Sequence, residues 1–328
     1  MLDEEDDDPE DTQHATVTDI LLQVRRLMGY NTLTFPQRII LRKLVIDTLR
    51  QGSIAWGIRQ AKTWGGIWDV AMTQLIADAA FIALHGSLTA AARARWDELS
   101  AGRMTEEKVH ATIDKNNPYF QRVLELARRG GGVPIHVPDD FVPNSLTESG
   151  PPKLSQQTQE AGAALRRMVC EGFHQKRLCF LMTTSEAMKW DPHINPSHWV
   201  PKAGTPQGRN CLNGSNGGKG NQALNSDELR EWARDRWGHI KHPTIEEYVR
   251  MIVEFVDAAI ACGKGKRTIR LWKMDIAGAY TQLTYRAEDV HLMACSIPGD
   301  LVAFFMCGTF RWGAMPFAFH PITDVASA

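Results

Sequence analysis

Between Thr244 and Leu283 the hydrophobic period of the chain changes abruptly, and this change restricts the folds open to it. Ile245, Tyr248, Val249, Ile252, Val253, Val256 and Ile260 recur at helical spacing and form one apolar stripe. Thr244 and Glu247 stand at capping-box spacing at its start, and Gly263 and Gly265 mark its end. Directly afterwards Ile269, Leu271, Lys273 and Asp275 alternate with Arg270, Trp272, Met274 and Ile276, a period of two that predicts a strand. Such a strand buries Trp272, Met274 and Ile276 and turns Asp275 to its other face, at the C-terminal end where sheets present functional groups. A carboxylate in so apolar a run needs a partner or a metal ion.

The remaining sequence separates into a helical part and a mixed part. From Val17 to about Arg129 the pattern is helical, as in "DILLQVRRLM", "FPQRIILRKLVIDTLRQ" and "IWDVAMTQLIADAAFIALHG". Thr105 in "MTEEKVHATI" has the place of an N-cap, with acids in the first turn behind it. Three glycines and three prolines in "RRGGGVPIHVPDDFVPNS" break the helices and predict a connection to a second unit. After a helix in "QTQEAGAALRRMVCEGF" come a short strand in "KRLCFLMTT" and a long irregular stretch, "KWDPHINPSHWVPKAGTPQGRNCLNGSNGGKGNQ". "DVHLMACSIPGDLVAFFMCGTF" reads as a hairpin turning at Pro298-Gly299-Asp300. The expected class is α+β, with an acidic tail over 1–15, a helical region over 16–130, a linker over 131–160 and a mixed unit over 161–328.

The first twelve residues carry eight acids and no base, a composition that stays solvated. Removing those eight from the 38 acids leaves 37 bases and a net charge of about +7, a mild bias toward an anionic partner. Six cysteines without a CxxC pair argue against a disulfide framework or a structural zinc site and fit reduced thiols in an intracellular protein. Cytoplasm and nucleus are not distinguished. The longest apolar run is interrupted by Asp69 and Asp78, so no membrane segment is expected.

Several local patterns lack the spacing their chemistry needs. Gly214 is followed by three residues before Gly218-Lys219 and then by Gly220, which is not a Walker loop. "CGKGKRT" fails for the same reason. His193 and His198 are held on no helix and have no neighbouring Cys to complete four metal ligands, and no GxSxG elbow is present.

The order of elements is more informative. "WVPKAGTPQGRNCLN", the capped helix, "KMDIAGAYTQL", the hairpin and "FRWGAMPFAF" follow one another in an order that resembles the fingers and early palm of reverse transcriptases, above all those of retroelements. The resemblance spans roughly Lys176 to Ile322. It implies that Lys202 and Arg209, seven residues apart, reach the incoming triphosphate from a basic loop and the strand behind it. It implies that Asp275 binds the catalytic metal and Ile276 adds its backbone carbonyl. Gly278 and Ala279 would line the triphosphate, and Tyr280 would be the aromatic gate against a ribose 2′-OH. Met315-Pro316-Phe317-Ala318 resembles the "LPFG" segment, which sets Phe317 beside template and nucleotide. The fold implied is an incomplete polymerase-like fingers and palm, an antiparallel sheet packed on helices.

Nucleotidyl transfer suits these residue types. Carboxylates hold Mg²⁺ (or Mn²⁺) to activate a primer 3′-OH, cationic side chains clamp the triphosphate, and small residues let backbone approach phosphate. The partners implied are an RNA or DNA template-primer and deoxynucleoside triphosphates. Three departures accompany the resemblance: Ala318 replaces the glycine of "LPFG", the spacing to Pro321 is short, and Gly278 replaces a frequent acid. A fourth weighs more, because no aromatic-x-Asp-Asp pair follows "MPFAF" and the only later acid is Asp324. The chain is therefore expected to be an N-terminal fingers and partial-palm portion of such an enzyme, inactive alone, missing the rest of the palm and the thumb. The competing expectation is a non-catalytic protein that binds nucleic acid or protein through its helical half.

Overall fold

Alternation along two short strands builds the centre of the molecule. The structure is a computed structural model that describes residues 68–100, 105–128, 131–174, 178–201, 208–215, 223–240, 244–264, 278–309 and 311–327. In chain order its elements are helices α1 (Trp68–His85), α2 (Leu88–Ser100), α3 (Glu106–Thr112), α4 (Phe120–Ala127), α5 (Gln156–Glu160) and α6 (Gly162–Met168), then strand β1 (Cys179–Thr183), helix α7 (Thr184–Ala187), and strands β2 (Ile194–Pro201) and β3 (Gly208–Leu212). Helices α8 (Asp227–Trp237) and α9 (Ile245–Ala261), the hairpin β4 (Ala294–Ile297) and β5 (Leu301–Phe305), and helix α10 (Met315–Ser327) complete it.

The class is α+β, a five-stranded sheet in the order β1-β5-β4-β2-β3 with helices on both faces. Phe180, Met182, Val302 and Phe304 point to one face and join Phe81 and Ile82 of α1 and Ala91 and Ala92 of α2. Cys179, Leu181, Leu301, Ala303 and Phe305 point to the other and join Leu165 of α6 and Val169. Period-two side chains thus serve two cores at once, which is why β1 and β5 read as continuous apolar runs. The N-terminal helices α1 and α2 form one wall of the sheet's own core.

The hairpin stands where expected, with its turn at Pro298-Gly299-Asp300. Two details differ from the sequence reading. The sheet is mixed, because β2 runs parallel to β4 while the other pairings are antiparallel. Helices α8 and α9 lie between these two strands in the chain, and so long a crossover permits parallel pairing where a tight turn does not. The stretch expected to be irregular contains β2 and β3, paired from Ser197–Leu212 to Pro201–Gly208. Pro196 and Pro201 within β2 obscure the strand signal, since proline weighs against a central strand.

The glycine and proline run after α4 lies against this framework. Val133 bridges Tyr285, the Ile135 N–H donates to Asp289 at 2.9 Å, and the buried Asn144 exchanges two 2.8 Å bonds with the Ile194 backbone. Thr105 caps α3 as expected. Helix α9 has its full capping box, yet its apolar stripe is open to solvent, with Ile245 75% and Val249 55% exposed. Among the described residues no helix is long and apolar enough to cross a membrane.

Candidate functional site

Gly308 is where three sequence segments of interest meet. A Cβ there would stand 2.4 Å from the Tyr280 carbonyl oxygen and 2.7 Å from the Met315 side chain. The Gly308 N–H donates to Leu283 O at 2.9 Å, and Leu283 N–H donates to Tyr280 O at 3.1 Å. Absence of a side chain at this position therefore lets the turn after "MDIAG" touch both the exit of β5 and the start of α10.

That turn is locally determined. Gly278 has φ +60°, a left-handed conformation that favours glycine, and its carbonyl accepts from Thr281 N–H at 2.9 Å and Thr281 Oγ1 at 2.7 Å. Ala279–Gln282 follow as a 3₁₀ turn. The Tyr280 ring meets Phe319 edge-on at 5.9 Å. Ala279, Tyr280 and Phe317 all pack, half-buried, on the cluster of Trp312, Met315, Ala318 and Phe319. Leu212 at the end of β3 belongs to the same cluster, and Arg209, three residues earlier on that strand, is exposed.

Of the sequence-predicted site residues, Gly278, Ala279, Tyr280 and Phe317 are thus together, with the strand of Arg209 entering the same core. Lys202, Asp275 and Ile276 lie outside the described residues, as does the strand expected over 269–276. Among the described residues no group of three or more His, Cys, Asp or Glu side chains could hold a metal ion. Asp324, the one acid after "MPFAF", is occupied by His320 at 3.3 Å and by a hydrogen bond from the Tyr119 hydroxyl, which raises the Tyr119 pKa.

The site also contains residues that sequence patterns do not reveal. Arg311 has φ +71°, unusual for a residue with a side chain. Asn225 stabilises this turn from 86 residues away: its Nδ2 donates to Arg311 O at 2.7 Å, and its Oδ1 accepts from Gly313 N–H at 2.6 Å. On the inner side Trp312 is buried edge-on against Tyr285 at 5.4 Å, and the Tyr285 hydroxyl accepts from Thr309 N–H at 3.1 Å. Burial pushes the Tyr285 hydroxyl far above its usual range, so it stays protonated. A lone asparagine before a helix cap carries no periodic signal, and positive φ in an arginine has no sequence mark.

Burial keeps several of the thiols protonated. Burial pushes Cys170 and Cys295 up to about 12, and Cys179 well above its ordinary value. Cys211 is also raised by burial, with the charges of Arg311 and Arg209 pulling in the opposite direction. Both arginines therefore lie within electrostatic reach of one thiol. No family model, curated protein or solved structure matches the chain.

Proposed function

We propose that the chain is the fingers and early palm of a retroelement-type reverse transcriptase, an RNA-directed DNA polymerase, and that it binds a deoxynucleoside triphosphate. The supporting observation is the meeting at Gly308, where the "AGAY" turn and the "MPFAF" helix come together although the whole β4–β5 hairpin lies between them in the chain. In this reading Tyr280 places its ring under the sugar, Phe317 flanks the base, and Arg209 with Lys202 neutralises phosphate oxygens. Asp275, with the Ile276 carbonyl, supplies hard oxygen ligands of the kind Mg²⁺ or Mn²⁺ takes; the ion, when bound, would screen the triphosphate charge. A single carboxylate and one carbonyl fall short of a two-metal centre, so binding rather than turnover is the activity assigned to these 328 residues.

Titration of the full chain with dTTP tests this reading. Mg²⁺-dependent binding that Asp275→Asn weakens about tenfold or more, the loss of one charge-assisted contact, is the expected outcome. Binding that is absent, or unchanged in Asp275→Asn, favours instead a non-catalytic role for the fold.

A further inference from the structure

Arg209 and Arg311 stand far apart in the chain, yet Asn225 ties the turn of Arg311 to the segment that follows the strand of Arg209. Arg209 and Cys211 alternate on β3 and so share a face of that strand. Two residues beyond β3, the Gly214 carbonyl accepts from Asn225 N–H at 3.2 Å, and Ser215 Oγ lies 3.3 Å from Asn225 Nδ2. The same Asn225 carboxamide clamps Arg311 O and Gly313 N–H. Its fit is close: a Cβ on Gly214 or on Gly313 would approach it to 3.2 Å.

Three further observations indicate that this arrangement serves a ligand. Both arginines are exposed, and among the described residues neither guanidinium has a hydrogen-bond or carboxylate partner. Arg95 and Arg286 are paired, with Asp78 and Glu125, whereas Arg128, Arg167 and Arg234 resemble these two in showing no ion pair among the described residues. Arg311 is moreover held at positive φ, a conformation that costs free energy and persists only where the surroundings impose it. Arg209 and Arg311 both act on the one thiol of Cys211, and an anion held between two like charges relieves their repulsion.

We infer that Arg209 and Arg311, the latter positioned by Asn225, form a two-arginine site for the phosphate groups of a nucleotide polyphosphate. Guanidinium groups bond phosphate oxygens bidentately, and two of them span adjacent phosphates in a way a single lysine cannot. The inference rests on the proposed nucleotide-binding reading and adds Arg311 to it as a phosphate-binding residue; Asn225 is a positioning residue.

The test is titration of the full chain with inorganic tripolyphosphate in metal-free buffer, by calorimetry, at two salt concentrations. Arg311→Gly removes the charge while keeping a residue suited to positive φ, so the turn survives; Arg311→Lys keeps the charge. We expect Arg311→Gly and Arg209→Ala each to weaken binding about tenfold, Arg311→Lys to weaken it less, and Arg250→Ala on α9 to have no effect. The salt dependence should decrease in both weakened variants. Unchanged affinity in Arg311→Gly, or no tripolyphosphate binding by the native chain, overturns the inference. The two readings separate cleanly. Loss of tripolyphosphate binding in Arg311→Gly, together with Mg·dTTP binding indifferent to Asp275→Asn, would keep the arginine pair and reject the polymerase assignment. An effect of Asp275→Asn with none of Arg311→Gly would do the reverse.

Discussion

Asp78 and Arg95 form a buried ion pair that closes the open edge of the sheet. Arg95 Nη2 donates to Asp78 Oδ1 at 2.9 Å, while Arg95 Nη1 donates to Cys179 O at 3.0 Å and Leu181 N–H donates to Asp78 Oδ2 at 2.7 Å. Two backbone groups of edge strand β1, the Cys179 carbonyl and the Leu181 N–H, are thereby satisfied by side chains of α2 and α1 rather than by another strand. The guanidinium also lies 3.9 Å over the Phe180 ring.

Removing one partner should be far worse than removing both. Asp78→Ala strands a buried arginine and an unbonded N–H, and should cost about 3–5 kcal/mol in urea unfolding. Asp78→Leu combined with Arg95→Met should recover much of that loss. A single variant within about 1 kcal/mol of the native protein, the contribution of an exposed pair, would show that the edge is satisfied otherwise.

Gly308→Ala tests the meeting of the Tyr280 turn with α10. The new methyl faces a backbone oxygen that cannot rotate away, so overpacking should destabilise the fold by about 1–3 kcal/mol. Thermal unfolding checks this, and an unaltered midpoint would mean that the turn and helix separate freely.

His193 gives the stability a pH dependence. It is fully buried, packs on Phe141 at 4.9 Å, and burial, with a smaller effect of His291, depresses its pKa to about 4. The unfolded chain binds a proton near pH 6.5, the folded one only near 4, so between them the unfolded state holds more protons and stability rises with pH. The contribution is complete above about pH 6.5 and is lost progressively toward pH 4, on the order of 3 kcal/mol in all. His193→Phe should flatten that part of the profile; a profile identical to the native one contradicts the assignment.

Helix α9 should respond to its cap and not to its exposed stripe. The Thr244 N–H donates to Glu247 Oε2 at 2.6 Å and Glu247 N–H to Thr244 Oγ1 at 3.2 Å, so Thr244→Ala should lower local helix stability by about 1 kcal/mol. Val249→Ala, at a site 55% exposed, should stay within about 0.5 kcal/mol. Amide exchange along the helix distinguishes the two.

Local signals are legible in the sequence where they arise from neighbours in the chain. The α9 capping box, the Thr105 cap, the β1 run and the hairpin turn at Pro298-Gly299-Asp300 all follow from residues a few positions apart. Features made by distant residues are not. The parallel β2–β4 pairing, the Asn225 clamp on Arg311 and the buried Asp78–Arg95 pair join segments that share no pattern. The α9 stripe shows the converse, a helical period that is readable while the solvent on its apolar face is not. For Gly278 the positive φ is a reason to be glycine that the sequence around it does not display.

If metal and nucleotide meet beside Tyr280, one spectrum shows it directly. With 3-fluorotyrosine incorporated, the chain has five reporters, and Mn²⁺ added with dTTP should broaden the Tyr280 signal most strongly. Asp275→Asn should abolish that broadening while leaving the spectrum otherwise native. Five signals that respond equally, or Tyr280 broadening that survives in Asp275→Asn, would contradict a metal-bound nucleotide at this turn.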